Sequence, residues 1–267
     1  MRSISTMEKI ISTATEAWEK RKAWWYLATI KTRERYARTK LGSLWASITV
    51  LISIGILGTV YSKLLNISNI KEYIVYLGIG LITWQTISTG VNSASKTFTA
   101  NALNIKNLII HPIQYTLIEW AFQVQTFIQS FILVILTLSL VNHSLAANAI
   151  IYGIPGVINL ILFLYWLPTL VSIAGAKFED LTQLVPVCLQ LTFLLSPILF
   201  ERKALGSISW IAEIDPIYIV ISNLRDSIIF ARFNLFENLA ILIFNCGGIL
   251  ISIIIVNSNK SRLPLIL

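Results

Sequence analysis

Arg33-Glu34-Arg35-Tyr36-Ala37-Arg38-Thr39-Lys40-Leu41-Gly42-Ser43-Leu44-Trp45 is where the chain changes character. Upstream it is basic and amphipathic, and downstream it is almost continuously apolar. Arg33, Arg35, Arg38 and Lys40 crowd one side of a boundary that Leu41, Leu44 and Trp45 cross. Positive charge favours the cytoplasmic side of a bilayer and a Trp ring favours its interface. The stretch therefore marks where a membrane begins and sets the direction of the first span. The apolar run that follows is of spanning length, which separates it from a basic loop before an ordinary buried helix.

Composition agrees. Of 267 residues 55% are hydrophobic and 13% charged, with a mean hydropathy of +0.73. A soluble domain carries about twice that charged fraction. Long Leu/Ile/Val runs broken by 12 Gly and 7 Pro read as an all-α polytopic membrane protein. The alternating ten-residue segments of a membrane barrel are absent. Cys188 and Cys246 sit inside apolar runs and read as small buried hydrophobes. The net charge is +8, of which +6 falls within residues 1–40: ten Lys/Arg against four Glu. Charge placed beside the first span suits anionic headgroups rather than nucleic acid.

Residues 1–31 contain no apolar core of a signal peptide. On a helical wheel Ile10, Ile11, Ala14, Ala17, Trp18, Trp24, Trp25 and Ala28 share one face, opposite Glu8, Lys9, Glu16, Glu19 and Lys20. Such a helix lies in the interface plane. Two regions follow: a cytoplasmic interfacial segment, 1–40, and a single transmembrane domain, 41–267. About 20 apolar residues cross a bilayer, which places six spans at 41–64, 72–95, 112–141, 149–175, 181–200 and 235–256. With the N-terminus inside, the inner segments carry fifteen cations and the outer ones six. Both termini are then cytoplasmic. No internal repeat is evident, against an inverted-repeat carrier.

Two connections exceed simple turns. Residues 96–111 can form a short inner helix with Phe98, Leu103 and Ile110 available to a partner. Residues 201–234 hold two apolar pieces, 208–214 and 217–231, while Glu213, Asp215, Arg225 and Asp226 argue against another full span. Asp215-Pro216 has the form of an N-cap followed by Pro in the first turn. Two short helices that dip into the outer leaflet and return fit this pattern. Arg225 and Asp226 are then expected near the outer headgroups.

No Gly-rich phosphate loop of the G-x-x-x-x-G-K-[ST] type occurs, so ATP binding of that kind is not expected in this chain. No metal-ligand cluster is present by spacing. His111 and His143 fall at opposite span ends and read as solvated loop residues. Glu119, Gln123, Thr126 and Ser130 form a polar stripe on the third span, either a functional wall or a seam against other helices. A membrane enzyme needs a cluster of acids, a Ser/His pair or a metal site, and none is formed.

The motifs in series resemble one family. Arg35-Tyr36, Thr39, Leu41-Gly42 and Leu44-Trp45 are similar to the approach to its first span. Gly80-Leu81 and Trp84 resemble its second span, Ser196-Pro197-Ile198 the end of its fifth, and Pro216 with Arg225-Asp226 its outer hairpin. The family is the permease subunit of ATP-binding-cassette exporters of O-antigen, capsule and teichoic-acid polysaccharides. Val50, Thr83, Glu179 and Asp215 depart from its usual residues and leave the subtype open.

The resemblance implies a channel of two permease copies with two copies of a separate ATPase subunit that holds ATP and Mg. It implies export of a lipid-linked polysaccharide across the bacterial inner membrane. Residues 96–111 become the coupling helix through Phe98, Leu103 and Ile110, and Arg35, Tyr36, Gly42 and Trp45 the membrane-boundary motif. Tyr61, Tyr76, Trp84, Phe200, Glu119 and Gln123 are channel candidates. Trp210, Asp215, Pro216 and Arg225 belong to an outer gate. A small-molecule or secondary transporter is the alternative from another class.

Overall fold

The computed structural model describes residues 6–37, 39–42, 44–107 and 110–267, with side chains from residue 11 onward. Arg2, Arg38 and the side chains of Glu8, Lys9 and Ile10 lie outside the described residues. Two helices come first, α1 (Thr6–Glu19) and α2 (Arg21–Tyr36). Then α3 (Leu44–Leu64) and α4 (Ile70–Ala94) are followed by the short α5 (Thr97–Ala100) and α6 (Ala102–Asn107). Next are α7 (Ile113–Ser139), the short α8 (Leu145–Ile151) and α9 (Ile154–Lys177). α10 (Leu181–Leu195) leads through a 3-10 segment, Arg202–Ile208, to α11 (Trp210–Ile214) and α12 (Pro216–Phe230). α13 (Leu235–Asn259) and the single turn α14 (Leu263–Ile266) complete the chain. No strand occurs among the described residues.

Among the described residues five helices, α3, α4, α7, α9 and α13, are long and apolar enough to cross a membrane. Residues 181–200, expected as a further span, instead form the 15-residue α10. At 1.5 Å per residue that is about 22 Å, short of the roughly 30 Å hydrocarbon core. Ser196 leaves the helix in an extended conformation (φ −76°, ψ 139°), because Pro197 disfavours helical geometry in the residue before it. The expected span 149–175 is also broken. α8 and α9 are separate helices, and Pro155 in the first turn of α9 supplies no N–H to an upstream partner.

The N-terminal segment departs from one continuous amphipathic face. It bends at Lys20 (φ −85°, ψ 12°) into α1 and α2. On α2, Ala28 is fully buried with Ala121 and Phe122 of α7, and Trp24 meets Trp120 edge-on at 5.8 Å. Trp18 and Trp25 remain exposed. The apolar face is thus divided between a contact within the protein and a set of exposed rings.

α4 is the central helix, with Leu77, Ile79 and Ile87 fully buried. The closest seam joins α9 to α13. Asn159 Nδ2 donates to the Asn238 carbonyl at 3.3 Å, Asn245 Nδ2 to the Asn159 carbonyl at 3.0 Å, and Trp166 Nε1 to Asn245 Oδ1 at 2.9 Å. Hydrogen bonds between apolar helices contribute about 0.6–2 kcal/mol each. At Gly248 a side chain would collide with the Trp166 ring, so glycine allows this approach. Cys188 and Cys246 are exposed on helix surfaces, contrary to the expectation of burial. Thiols accept an apolar exterior as readily as a core.

Candidate functional site

A groove opens where the end of α2 meets α3, α4, α7 and α10. The backbone turn that delivers it depends on Gly42, whose φ of 58° lies in the left-handed region that glycine adopts without strain. Trp45 N–H then bonds the Gly42 carbonyl at 3.3 Å and starts α3. The cavity has a volume of about 580 Å³. Its rings are Tyr36, Trp45, Trp84, Phe127 and Phe193, with Trp84 and Phe193 5.3 Å apart. Between them stand Thr49, Ser53, Gln85, Thr86, Thr126 and Ser130. Arg35 is the charged side chain that lines it. Rings alternating with hydroxyls and amides offer stacking faces and exchangeable hydrogen bonds to a polar chain.

Arg35 also borders a second cavity of about 350 Å³, shared with Lys31, Lys96 and Glu119. Lys31 and Arg35 both lie over the Phe122 ring, at 5.2 and 5.4 Å from its centre. Lys31 forms an ion pair with the buried Glu119. Gln123 Nε2 donates to Ser93 Oγ at 3.1 Å and to Glu119 Oε1 at 3.2 Å. The polar stripe is divided between two placements. Glu119 and Gln123 seam α7 to α2 and α4, whereas Thr126 and Ser130 face the groove together with one side of Gln123.

At the other end of the bundle the four aromatic candidates separate. Arg225 lies 3.8 Å from the Tyr76 ring centre, so that ring face is already occupied. The Tyr76 hydroxyl bonds the carbonyls of Pro197 (3.2 Å) and Phe200 (3.0 Å), and Tyr73 Oη bonds that of Leu199 (2.6 Å). Tyr61 and Phe200 are half-buried against the core and do not line the groove. Of the four, Trp84 alone does.

Arg225 is 2% exposed, which corrects its expected place near the headgroups. It donates to the Pro197 carbonyl at 3.3 Å and to Asp226 Oδ1 at 3.3 Å. Its position on α12 turns it toward α4, whose Tyr76 supplies an aromatic face in place of a second carboxylate. Asp215 accepts from Ile217 N–H at 2.9 Å and caps α12, with Pro216 in the first turn. Asp215 also accepts from the Ser196 hydroxyl, tying the cap to the end of α10. Val220, Ile221 and Leu224 are buried, so α12 is part of the bundle, while Trp210 and Ile214 on α11 are exposed.

At the end carrying α5 and α6, Leu103 and Ile110 are exposed, but Phe98 is fully buried and unavailable to a partner. α5 packs on α9, where a side chain at Gly175 would collide with the Ser95 carbonyl. His111 is likewise buried, contrary to a solvated loop residue. Its Nδ1 accepts from Ile113 N–H at 3.2 Å. Burial first, and then Lys260, push its pKa down, against the pull of Glu16. Among the described residues no group of three or more His, Cys, Asp or Glu could hold a metal ion.

Sequence reasoning did not single out Phe193 or Gln85 as wall residues. The signal was present, since Gln85, Thr86 and Thr89 place polar groups on one apolar helix, but only the packing of α10 on α4 supplies the opposite wall.

Comparison with known proteins adds two findings. The profile of the family described as ABC-2 type transporter matches residues 23–229. Two proteins of Klebsiella pneumoniae, each described as O-antigen export system permease protein RfbA, are 26% identical over 242 residues and 25% identical over 241. In both cases the match covers 87% of this chain and 90% of the relative.

Proposed function

The chain belongs to the ABC-2 type transporter family, and from that premise we propose that it is the membrane permease of a polysaccharide exporter, moving a lipid-linked, O-antigen-like polymer outward across the inner membrane. As an integral membrane component of a transporter it moves cargo rather than converting it. In this reading two copies form the path, and two copies of a separate ATPase subunit bind ATP and Mg and drive it. Six crossings, the fifth made by α10 together with the stretch that continues to Phe200, and cytoplasmic termini complete the proposed topology.

The observation that carries the reading is the groove. A polymer of sugars passing through needs contacts that are many and weak, so that no position traps it. Rings such as Trp84 and Phe193, set among Thr126, Ser130 and Gln85, supply this. Arg35 at one end of the groove suits an anionic head group. Filling the groove with Thr126→Trp and Ser130→Leu together is expected to lower surface polysaccharide at least tenfold, with the polymer accumulating inside. Normal surface polymer from a well-inserted double variant refutes the assignment.

The outer elements close the path in the same reading. α12 is anchored, and the exposed α11 with the 3-10 segment is the movable part. Tyr76→Leu, which removes the anchor of Arg225, is expected to raise ion leak through proteoliposomes. An unchanged leak removes the closing role.

A further inference from the structure

The cavity beside α2 gathers more charge than packing requires. Its volume is about 350 Å³, and residues of α2, α4, α5 and α7 wall it. Three cations line it: Lys31 and Arg35 from α2, and Lys96 from the step between α4 and α5. Lys31 and Arg35 are four residues apart and so share one face of their helix. Two carboxylates reach the same space, Glu34 and Glu119. Glu119 is buried and already matched by Lys31. Glu34 is exposed, where water and salt screen its charge. Among the described residues Arg35 and Lys96 form no ion pair. The cavity therefore keeps a positive balance that nothing inside the bundle uses.

The cations also retain donors. An ammonium carries three N–H groups, and Lys31 directs one of them to Glu119. Arg35 is placed by ring faces, its guanidinium lying 5.4 Å from the Phe122 centre and 6.0 Å from that of Tyr36. Ring contacts of that kind leave the N–H fork to meet oxygens. The fork matches a phosphate in pairs, and ammonium groups beside it add point charge. The position of Arg35 narrows the ligand further, because it lines both this cavity and the groove. An anion held here has Tyr36, Trp45 and Trp84 beside it for whatever group it is joined to. A free phosphate or a phospholipid head group engages the cavity alone. A phosphate ester of a hydroxyl-rich chain engages both spaces.

Resting on the reading of the groove as a polysaccharide path, we propose that Lys31, Arg35 and Lys96 bind the phosphate or diphosphate ester that joins such a chain to its lipid. Arg35 receives the oxygens at the boundary with the groove, so the first sugar is delivered against the Tyr36 and Trp84 rings. Lys96 closes the opposite side. Lys31 keeps Glu119 and turns its remaining N–H groups to the anion. Glu34 opposes binding, which limits how tightly the site holds its ligand and favours release along the path. The site has a structural consequence as well. α2 packs on α7, while Lys96 belongs to the α4–α5 step. An anion held by both cations ties α2 to that step.

The test uses the full chain in nanodiscs of phosphatidylcholine and three labelled probes: maltose joined to dodecanol through a diphosphate, dodecyl maltoside without phosphate, and dioctanoylphosphatidylglycerol. The diphosphate probe is expected to bind saturably, and each of the others at least tenfold more weakly. Arg35→Gln with Lys96→Gln is expected to raise the Kd of the diphosphate probe at least tenfold, with Lys96→Arg close to normal. Glu34→Gln, an exposed change, is expected to tighten binding about threefold, a gain that a purely structural role does not produce. An unchanged Kd in the double variant, or no gain from Glu34→Gln, overturns the site. Phosphatidylglycerol that binds as tightly as the diphosphate probe, and weakens as much in the double variant, makes this a phospholipid head-group site and overturns the cargo assignment. The underlying reading fails separately. If Thr126→Trp with Ser130→Leu exports normally while the double variant still loses the diphosphate probe, the anion site stands and the groove is not the polymer path.

Discussion

Among the described residues the two ends of the helix bundle each bury one charged side chain and neutralise it by different means. At the end where α2 packs, Glu119 of α7 meets a full opposite charge, Lys31 of α2, whose side chain is itself 46% exposed. At the α12 end Arg225 has its one carboxylate, Asp226, half exposed, and rests instead on the Tyr76 ring and the Pro197 carbonyl. A buried charge without a partner is costly, whereas a matched pair or an aromatic face offsets the loss of water. The Glu119 arrangement ties α2 to the bundle and leaves Lys31 half-exposed. The Arg225 arrangement is closed and holds α12 against α4. The difference teaches where rigidity lies: the Arg225 charge is locked inside the bundle, and the Glu119 charge sits at the joint between α2 and the bundle.

The comparison is tested most severely by stranding each charge in turn. Tyr76→Leu takes away the ring under Arg225 and the hydroxyl shared between the Pro197 and Phe200 carbonyls. Removing the partner of a buried charge costs about 3–5 kcal/mol, and with Asp226 still in reach the expected loss is about 3 kcal/mol of unfolding free energy in detergent. Tyr76→Phe keeps the ring and is expected to lose about 1 kcal/mol. Equal losses from Leu and Phe would mean that the ring face contributes nothing to holding Arg225.

Lys31→Met strands Glu119 in the same manner. Because this pair is partly open to water, the expected loss is smaller, about 2 kcal/mol. Glu119→Gln, which leaves Lys31 free to reach solvent, is expected to cost less than Lys31→Met. That order, measured by the same unfolding, separates a stranded acid from the loss of a salt bridge as such. The reverse order would place the buried member of the pair on α2 instead of α7.

These residues also explain what was legible from sequence and what was not. The long helices follow from apolar runs, so α3, α4, α7, α9 and α13 begin and end within a few residues of expectation, α9 excepted at its start. Asp215-Pro216 is a local signal, and its cap forms. Arg225 was misplaced because its neighbour Asp226 suggested a solvated pair. The groups that bury it, Tyr76 and Pro197, are remote in sequence. Phe98 and His111 were misplaced for the same reason, since short polar segments read as surface until the helix they pack on is known. The groove draws on α2, α3, α4, α7 and α10, and no single helix announces it. The break at Lys20 carries no Pro or Gly and has no sequence signature.

The smallest expected effect distinguishes the two ends by pH. His111 is buried at the end carrying α5 and α6, where Lys260, Glu16, Lys20 and Asn257 act on it and Ile113 N–H donates to Nδ1. The groups in contact with Arg225 are Tyr76, Tyr218, Asp226 and the Pro197 carbonyl, none of them an imidazole. Burial holds the folded-state pKa of His111 below its ordinary 6.5. Above about pH 6.5 the imidazole is neutral in both folded and unfolded chains, and its contribution to stability is complete. As pH falls below that value the unfolded chain takes up a proton before the folded one, so stability is lost, by at most about 1.4 kcal/mol per pH unit. Hydrogen exchange in α1 and the last turns of α13 is therefore expected to quicken between pH 7.5 and 5.5 while that of α12 holds steady once corrected for intrinsic rates. His111→Gln should abolish the difference between the ends. Equal acceleration at α12, or a response that survives His111→Gln, assigns the pH dependence to some other group.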